Sequence, residues 1–190
     1  MKGSTNVHRP NTAAGADIDE YRMEKLWNGS LIYGWTDLFA THEYEQNALP
    51  LWCTWYLGET VVLDQFDLYS MEEGTTGINA RKWGRETPRI WEIWGAMNPD
   101  PDYDPGEPEA GLVRDFDDDL TWTRLGSFTQ TAKLTTNFQV PVSCMLDVVI
   151  PVRYLRLKVI EPWYILDVTT GSGFIVAEVT AHGVVQPESE

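Results

Sequence analysis

Residues 174–183 read FIVAEVTAHG, small and branched apolar residues alternating around one carboxylate, Glu178. Alternation of this kind marks a β-strand with one face against a core. An acid inside such a strand is costly unless it is hydrogen-bonded, ion-paired or bound to a metal. Glu178 therefore requires a partner from elsewhere in the chain.

Segments of the same period recur upstream: LWCTWYL (51–57), VVLDQFDLYS (61–70), RIWEIWGA (89–96), LTWTRLGSF (120–128) and VRYLRLKVI (152–160). Clusters of Gly, Pro, Asn or Asp separate them, so each reads as a strand. In the last of these, Leu155, Leu157 and Val159 point one way and Tyr154, Arg156 and Lys158 the other, the pattern of a sheet wet on one face. The same alternation sets Trp91 and Ile93 opposite Glu92 and Trp94. No segment sustains a helical period beyond about three turns. Short antiparallel strands with long loops predict an all-β fold, an antiparallel β-sandwich of jelly-roll type.

The 190 residues suffice for one domain with a substantial core. Residues 1–19, rich in Gly, Ala, Asn and Thr without periodicity, read as a flexible arm or linker, leaving 20–190 as the single sandwich domain. The net charge of −15 repels phosphate backbones and anionic lipid surfaces, so nucleic acid is not an expected partner. No run of 18 apolar residues predicts a transmembrane segment. The first twenty residues lack the apolar stretch of a signal peptide, so an export signal is not encoded in this stretch. Cys53 and Cys144 match no zinc spacing; they are buried thiols or one disulfide, with buried thiols favoured.

Three long loops, at about 33–50, 71–87 and 96–119, are the places for function. In the third, Asp100, Asp102 and Asp104 have the alternate spacing of a calcium loop. Gly106 falls one place late and Gly111 stands where a bidentate Glu is needed, so the segment reads as solvated surface. The three histidines suggest no catalytic triad, and no phosphate-binding loop is present. The expectation is a protein that is not an enzyme.

The stretch NARKWGRETPR sets Trp83 between Arg81, Lys82 and Arg85 in a strongly acidic chain. An exposed indole offers a flat face to the C–H side of a pyranose, and Arg and Lys donate hydrogen bonds to its hydroxyls. Equally, Trp83 can fold back on the sandwich while the arginines pair with Glu72, Glu73 and Glu86. His42 and Tyr44 carry the same two readings, and Trp163 with Tyr164 forms a further aromatic cluster.

Taken in order over about residues 24–183, several segments resemble the discoidin family, the coagulation-factor C-terminal type domain with a galactose-binding-like jelly roll. KLWNGS (25–30) stands where the family has a Leu-x-Asp-Gly-Asn turn, followed by GWTD (34–37). LPLWCTWYLG (49–58) is similar to its strand ending Asp-Leu-Gly, and PRIWEIWGA, RYLRLKV and AEVTAHG are similar to its later strands. Tyr56 replaces the Asp of Asp-Leu-Gly, and Asn28 replaces the acid of the first turn.

The resemblance implies a carbohydrate-binding module, or a C-terminal domain of a bacterial glycan-uptake surface lipoprotein. Its place would be the periplasm or the outer-membrane surface, and its partners a glycan or glycoprotein sugar and other domains of the parent lipoprotein. It also implies one structural calcium ion between the first turn and the closing strand. The ligands would be Asn28, Ser30, Thr36, the Ala177 carbonyl and Glu178, and the loss of an acid at Asn28 weakens the site. Without a metal, Glu178 would accept backbone N–H groups instead. Ligand contacts fall in the loops at one end of such a sandwich, where Tyr33, Trp35, His42, Tyr44, Arg81, Trp83 and Arg85 lie. A structural or protein-interaction domain with no sugar site is the competing expectation, and a hydrolase built on paired carboxylates the third.

Overall fold

The computed structural model describes residues 2–5, 26–29, 39–40, 50–70, 87–97, 122–132, 140–163 and 174–187. Within them lie nine strands: β1 (Lys2–Thr5), β2 (Phe39–Ala40), β3 (Leu51–Tyr69), β4 (Pro88–Ala96), β5 (Thr123–Thr129), β6 (Val142–Met145), β7 (Pro151–Pro162), β8 (Ile175–Val176) and β9 (Glu178–Val185). Every pairing among them is antiparallel.

β3 organises the fold. The two segments read separately as LWCTWYL and VVLDQFDLYS form one strand of 19 residues. Its first half joins β1 and β7 in the order β1-β3-β7-β4-β5, and its second half pairs with β6 on one side and β9 on the other. The register shifts between Tyr56 and Val61. Gly58 sits there at φ 92°, a left-handed conformation that a side chain strains, so the strand turns this corner without leaving the sheet.

The core lies between the two halves. Leu51, Cys53 and Trp55 of β3 stand in register with Val159, Leu157 and Leu155 of β7, and Trp91 and Ile93 of β4 continue the rows. From the second half of β3, Phe66 and Leu68 close on this layer, with the Phe66 ring 6.2 Å from Trp55. Both cysteines are free and buried, as expected. Burial raises both thiol pKa values, that of Cys144 to about 12. Folding thus holds both protons on; the stability this linkage contributes is intact below pH 9 and declines as pH rises above it.

Two expectations are corrected, and one strand that was not read is added. Lys2–Thr5, placed in the loose arm, pairs with Tyr56–Cys53 at the edge of β3. β6, which no alternation announced, pairs with Gln65–Leu68. The face of β7 read as wet is covered: Arg156 is 0% and Lys158 3% exposed. The Arg156 guanidinium lies 3.9 Å from the ring centre of Trp122 and 4.5 Å from that of Trp52, and its Nε donates to Thr54 Oγ1 at 2.6 Å. Lys158 Nζ lies 3.9 Å from the Glu92 carboxylate, which also accepts Trp94 Nε1–H at 2.9 Å. A cation can leave water here because aromatic faces and a carboxylate replace its hydration.

The closing strand answers the requirement set by Glu178. The run 174–183 is broken at Ala177, whose N–H donates to the Tyr69 carbonyl at 3.0 Å. Beyond it, Glu178 is 7% exposed and its Oε2 accepts the Gly29 N–H at 3.2 Å across 149 positions of sequence. Gly29 holds φ 72°, which allows the first turn to aim its amide at the carboxylate. Near it, Leu26 is fully buried and the Trp27 ring lies 6.0 Å from Trp55. First turn and last strand are clasped by one charge-assisted bond over an apolar contact. Replacing Glu178 by Ala removes that bond and leaves the amide to find another partner; urea unfolding should show a loss of about 1–3 kcal/mol.

Candidate functional site

Register places the beginnings of β3 and β4 and the ends of β5 and β7 at one end of the sheet: Leu51 faces Val159, Pro88 faces Pro162 and Ile90 faces Thr129.

Four side chains meet there. Glu161 of β7 forms an ion pair with the Arg89 guanidinium of β4. That guanidinium lies 5.5 Å from the ring centre of Trp163, one residue beyond β7. The Trp163 indole N–H reaches Gln130 Oε1 at 3.4 Å, and its backbone N–H donates to the Thr87 carbonyl at 3.0 Å. Gln130 is anchored in turn by donating its backbone N–H to the Arg89 carbonyl at 2.9 Å.

This group combines an aromatic surface with charged and amide groups, part of it open to solvent. Trp163 is half-buried, and the Arg89 and Glu161 side chains are 41% and 38% exposed. Gln130 Nε2 and Arg89 Nε are buried N–H groups with no hydrogen-bond partner among the described residues. Together the four residues present an aromatic surface, a guanidinium, a carboxylate and an amide, the donors and acceptors that sugar hydroxyls need.

A concavity opens beside the clasp. It measures about 400 Å³ and is walled by Trp27, Trp55, Leu57, Val61 and Leu63 on one side and by the start and end of β9 on the other. On the outer side of the second layer, Asp67 is 6% exposed. Its carboxylate is met by His182 Nε2 at 2.7 Å and by Gln65 Nε2 at 2.8 Å. The first contact ties β9 to β3, and the second lies within β3.

The residues expected to bind ligand, Tyr33, Trp35, His42, Tyr44, Arg81, Trp83 and Arg85, lie outside the described residues, as do Ser30 and Thr36 of the expected calcium set. Of that set, Ala177 and Glu178 are buried, and Asn28 is exposed beside Gly29. No group of three His, Cys, Asp or Glu side chains able to hold a metal occurs among the described residues. Trp163 was legible as an aromatic cluster; Arg89, Gln130 and Glu161 were missed. The period-two pattern assigns each to a strand or its end but cannot say that three strand ends converge.

Known structures of the same fold include a SusE-like protein, 19% identical at TM-score 0.59 over 86% of this chain and 87% of that one. A family 32 carbohydrate-binding module of Clostridium perfringens, solved in complex with galactose, is 13% identical at TM-score 0.55, covering 95% and 91% of the two chains. An F5/8 type C domain from Bacteroides fragilis is 17% identical at TM-score 0.54, covering 95% and 89%. The fold is therefore the galactose-binding-like, discoidin β-sandwich that the sequence resembled. No curated protein sequence matches the chain. The DUF5000 family, described as a domain of unknown function, matches residues 27–183, and the chain belongs to it.

Proposed function

We propose that this chain is a non-catalytic carbohydrate-binding module of an exported bacterial protein, gripping a glycan at the end of the sandwich where β4, β5 and β7 meet. The observation that carries this reading is the convergence of Trp163, Arg89, Glu161 and Gln130 at that end. The galactose complex of a module with the same fold supports it. Its likeness to a SusE-like protein and to Bacteroides domains supports a place outside the cytoplasm. No described helix is long and apolar enough to cross a membrane.

Tyr33, Trp35, His42, Tyr44, Arg81, Trp83 and Arg85 extend the same site in this reading. Arg85 stands two residues before Thr87, whose carbonyl anchors Trp163. A role as an interaction domain of a glycan-uptake lipoprotein is favoured by a different observation: Met145, Val184 and Val185 are 63%, 66% and 53% exposed. Calorimetric titration against a panel of galactosides and host and plant glycans separates the two. The sugar-binding reading expects saturable heat with at least one glycan, and a loss of about 2 kcal/mol, roughly thirtyfold in affinity, for Trp163→Ala. An absence of heat throughout the panel favours the interaction domain.

The reading includes one structural calcium at the clasp. The Asn28 side-chain oxygen, the Ala177 carbonyl and Glu178 are oxygen donors of the kind calcium accepts, and a single carboxylate makes for weak affinity. Bound calcium would add stability to the closure of the first turn on β9. Melting followed in calcium and in EDTA tests this. A higher melting temperature with calcium supports the ion, whereas identical values leave the Gly29 N–H as the carboxylate's support.

A further inference from the structure

The group at the ends of β4, β5 and β7 holds two hydrogen-bond donors that the protein itself does not satisfy. An indole N–H can only donate, so the 3.4 Å contact of Trp163 Nε1 with Gln130 Oε1 fixes the amide with its oxygen toward the indole and its NH2 turned away. That Nε2 has no acceptor, and neither has the Nε of Arg89. Gln130 is 8% exposed, and its backbone N–H is bonded to the Arg89 carbonyl at 2.9 Å, so the amide starts from a fixed point of the β4–β5 ladder. A covered donor of this kind costs stability unless a bound group completes it. The Arg89 and Glu161 side chains, 41% and 38% exposed, are the movable rim of the group, and a ligand that shifts them reaches the amide.

A carboxylate, a hydroxyl and an amide carbonyl could each supply the acceptor. A carboxylate is disfavoured, because Glu161 already neutralises the Arg89 guanidinium and the chain's net charge of −15 repels anions. An acetamido group matches the site at three atoms. Its carbonyl oxygen accepts from Gln130 Nε2, its N–H donates to the Glu161 carboxylate, which has an oxygen beyond the one that meets Arg89, and its methyl lies on the half-buried Trp163 indole. A hydroxyl in the same place offers neither the methyl nor a donor and an acceptor on separate atoms. Resting on the reading of this end as a glycan site, we infer that its ligand is a glycan presenting an N-acetylhexosamine, and that Gln130 sets the preference for the acetamido group.

Calorimetric titration with the methyl glycosides of N-acetylglucosamine, glucose, N-acetylgalactosamine, galactose and glucuronic acid tests the inference. The acetamido member of at least one matched pair is expected to bind at least about tenfold tighter than its hydroxyl counterpart, with the glucuronide no tighter than the glucoside. Gln130→Glu keeps an oxygen for the Trp163 indole N–H but puts an acceptor where the NH2 stood, and should erase the acetamido preference. Gln130→Met, which also lacks the donor, serves if the Glu variant does not fold, and the five glycosides on the unaltered chain decide if neither does. Equal binding of acetamido and hydroxyl sugars, both lost in Trp163→Ala, would overturn this inference and leave the glycan reading standing. No heat with any glycoside would overturn both. A glucuronide that binds tightest, or an acetamido preference that survives in Gln130→Glu, would also contradict the assignment.

Discussion

One strand serves both layers of this sandwich. β3 enters beside β7, turns its corner at Gly58 and continues between β6 and β9, so the two faces that enclose the core are covalently continuous. The apolar rows on its two halves must then face the same interior. Cys53 and Trp55 do so from the first half, Phe66 and Leu68 from the second. Because strand side chains alternate with period two, a one-residue slip on either side of the corner would turn one of these rows to solvent. The irregularity between Tyr56 and Val61 is where that phase is set.

Much of this was legible in the sequence, for reasons that can be named. Alternation in LWCTWYL and RYLRLKVI identified the inward rows because side chains on a strand have only two directions. Glu178 announced a distant partner because an acid in an apolar strand is tolerated only when bonded, and the partner proved to be the first turn. Continuity of β3 was not legible: Gly-Glu-Thr at 58–60 is what a turn between two strands would also contain. Nor was the burial of Arg156 and Lys158, since alternation gives the face of a residue but not what covers that face. Trp52 and Trp122 flank the guanidinium from opposite parts of the sequence. Tyr56, where the resembling family has an acid, stacks its ring 5.0 Å from Tyr154 on the neighbouring strand.

The clasp and the converging strand ends make different demands on their residues. The clasp joins the first turn to the last strand with Leu26, Trp27 and the Glu178 carboxylate. The opposite requirement operates at the ends of β4, β5 and β7, where Arg89, Glu161 and Trp163 remain partly exposed and the strands hold them in fixed register. Water solvates these partly exposed groups, and a ligand that reproduces its hydrogen bonds can take its place. A rigid β framework beneath them limits the conformational entropy lost when that ligand binds.

The most direct measurement is a two-dimensional NMR titration of the protein with the tightest-binding glycan from the calorimetric panel. The account predicts that the Trp163 indole N–H and the Gln130 side-chain amide shift with saturation, while the Gly29 amide at the clasp stays in place. Shifts confined to Gly29 and the residues of β9, with Trp163 and Gln130 unmoved, would contradict it.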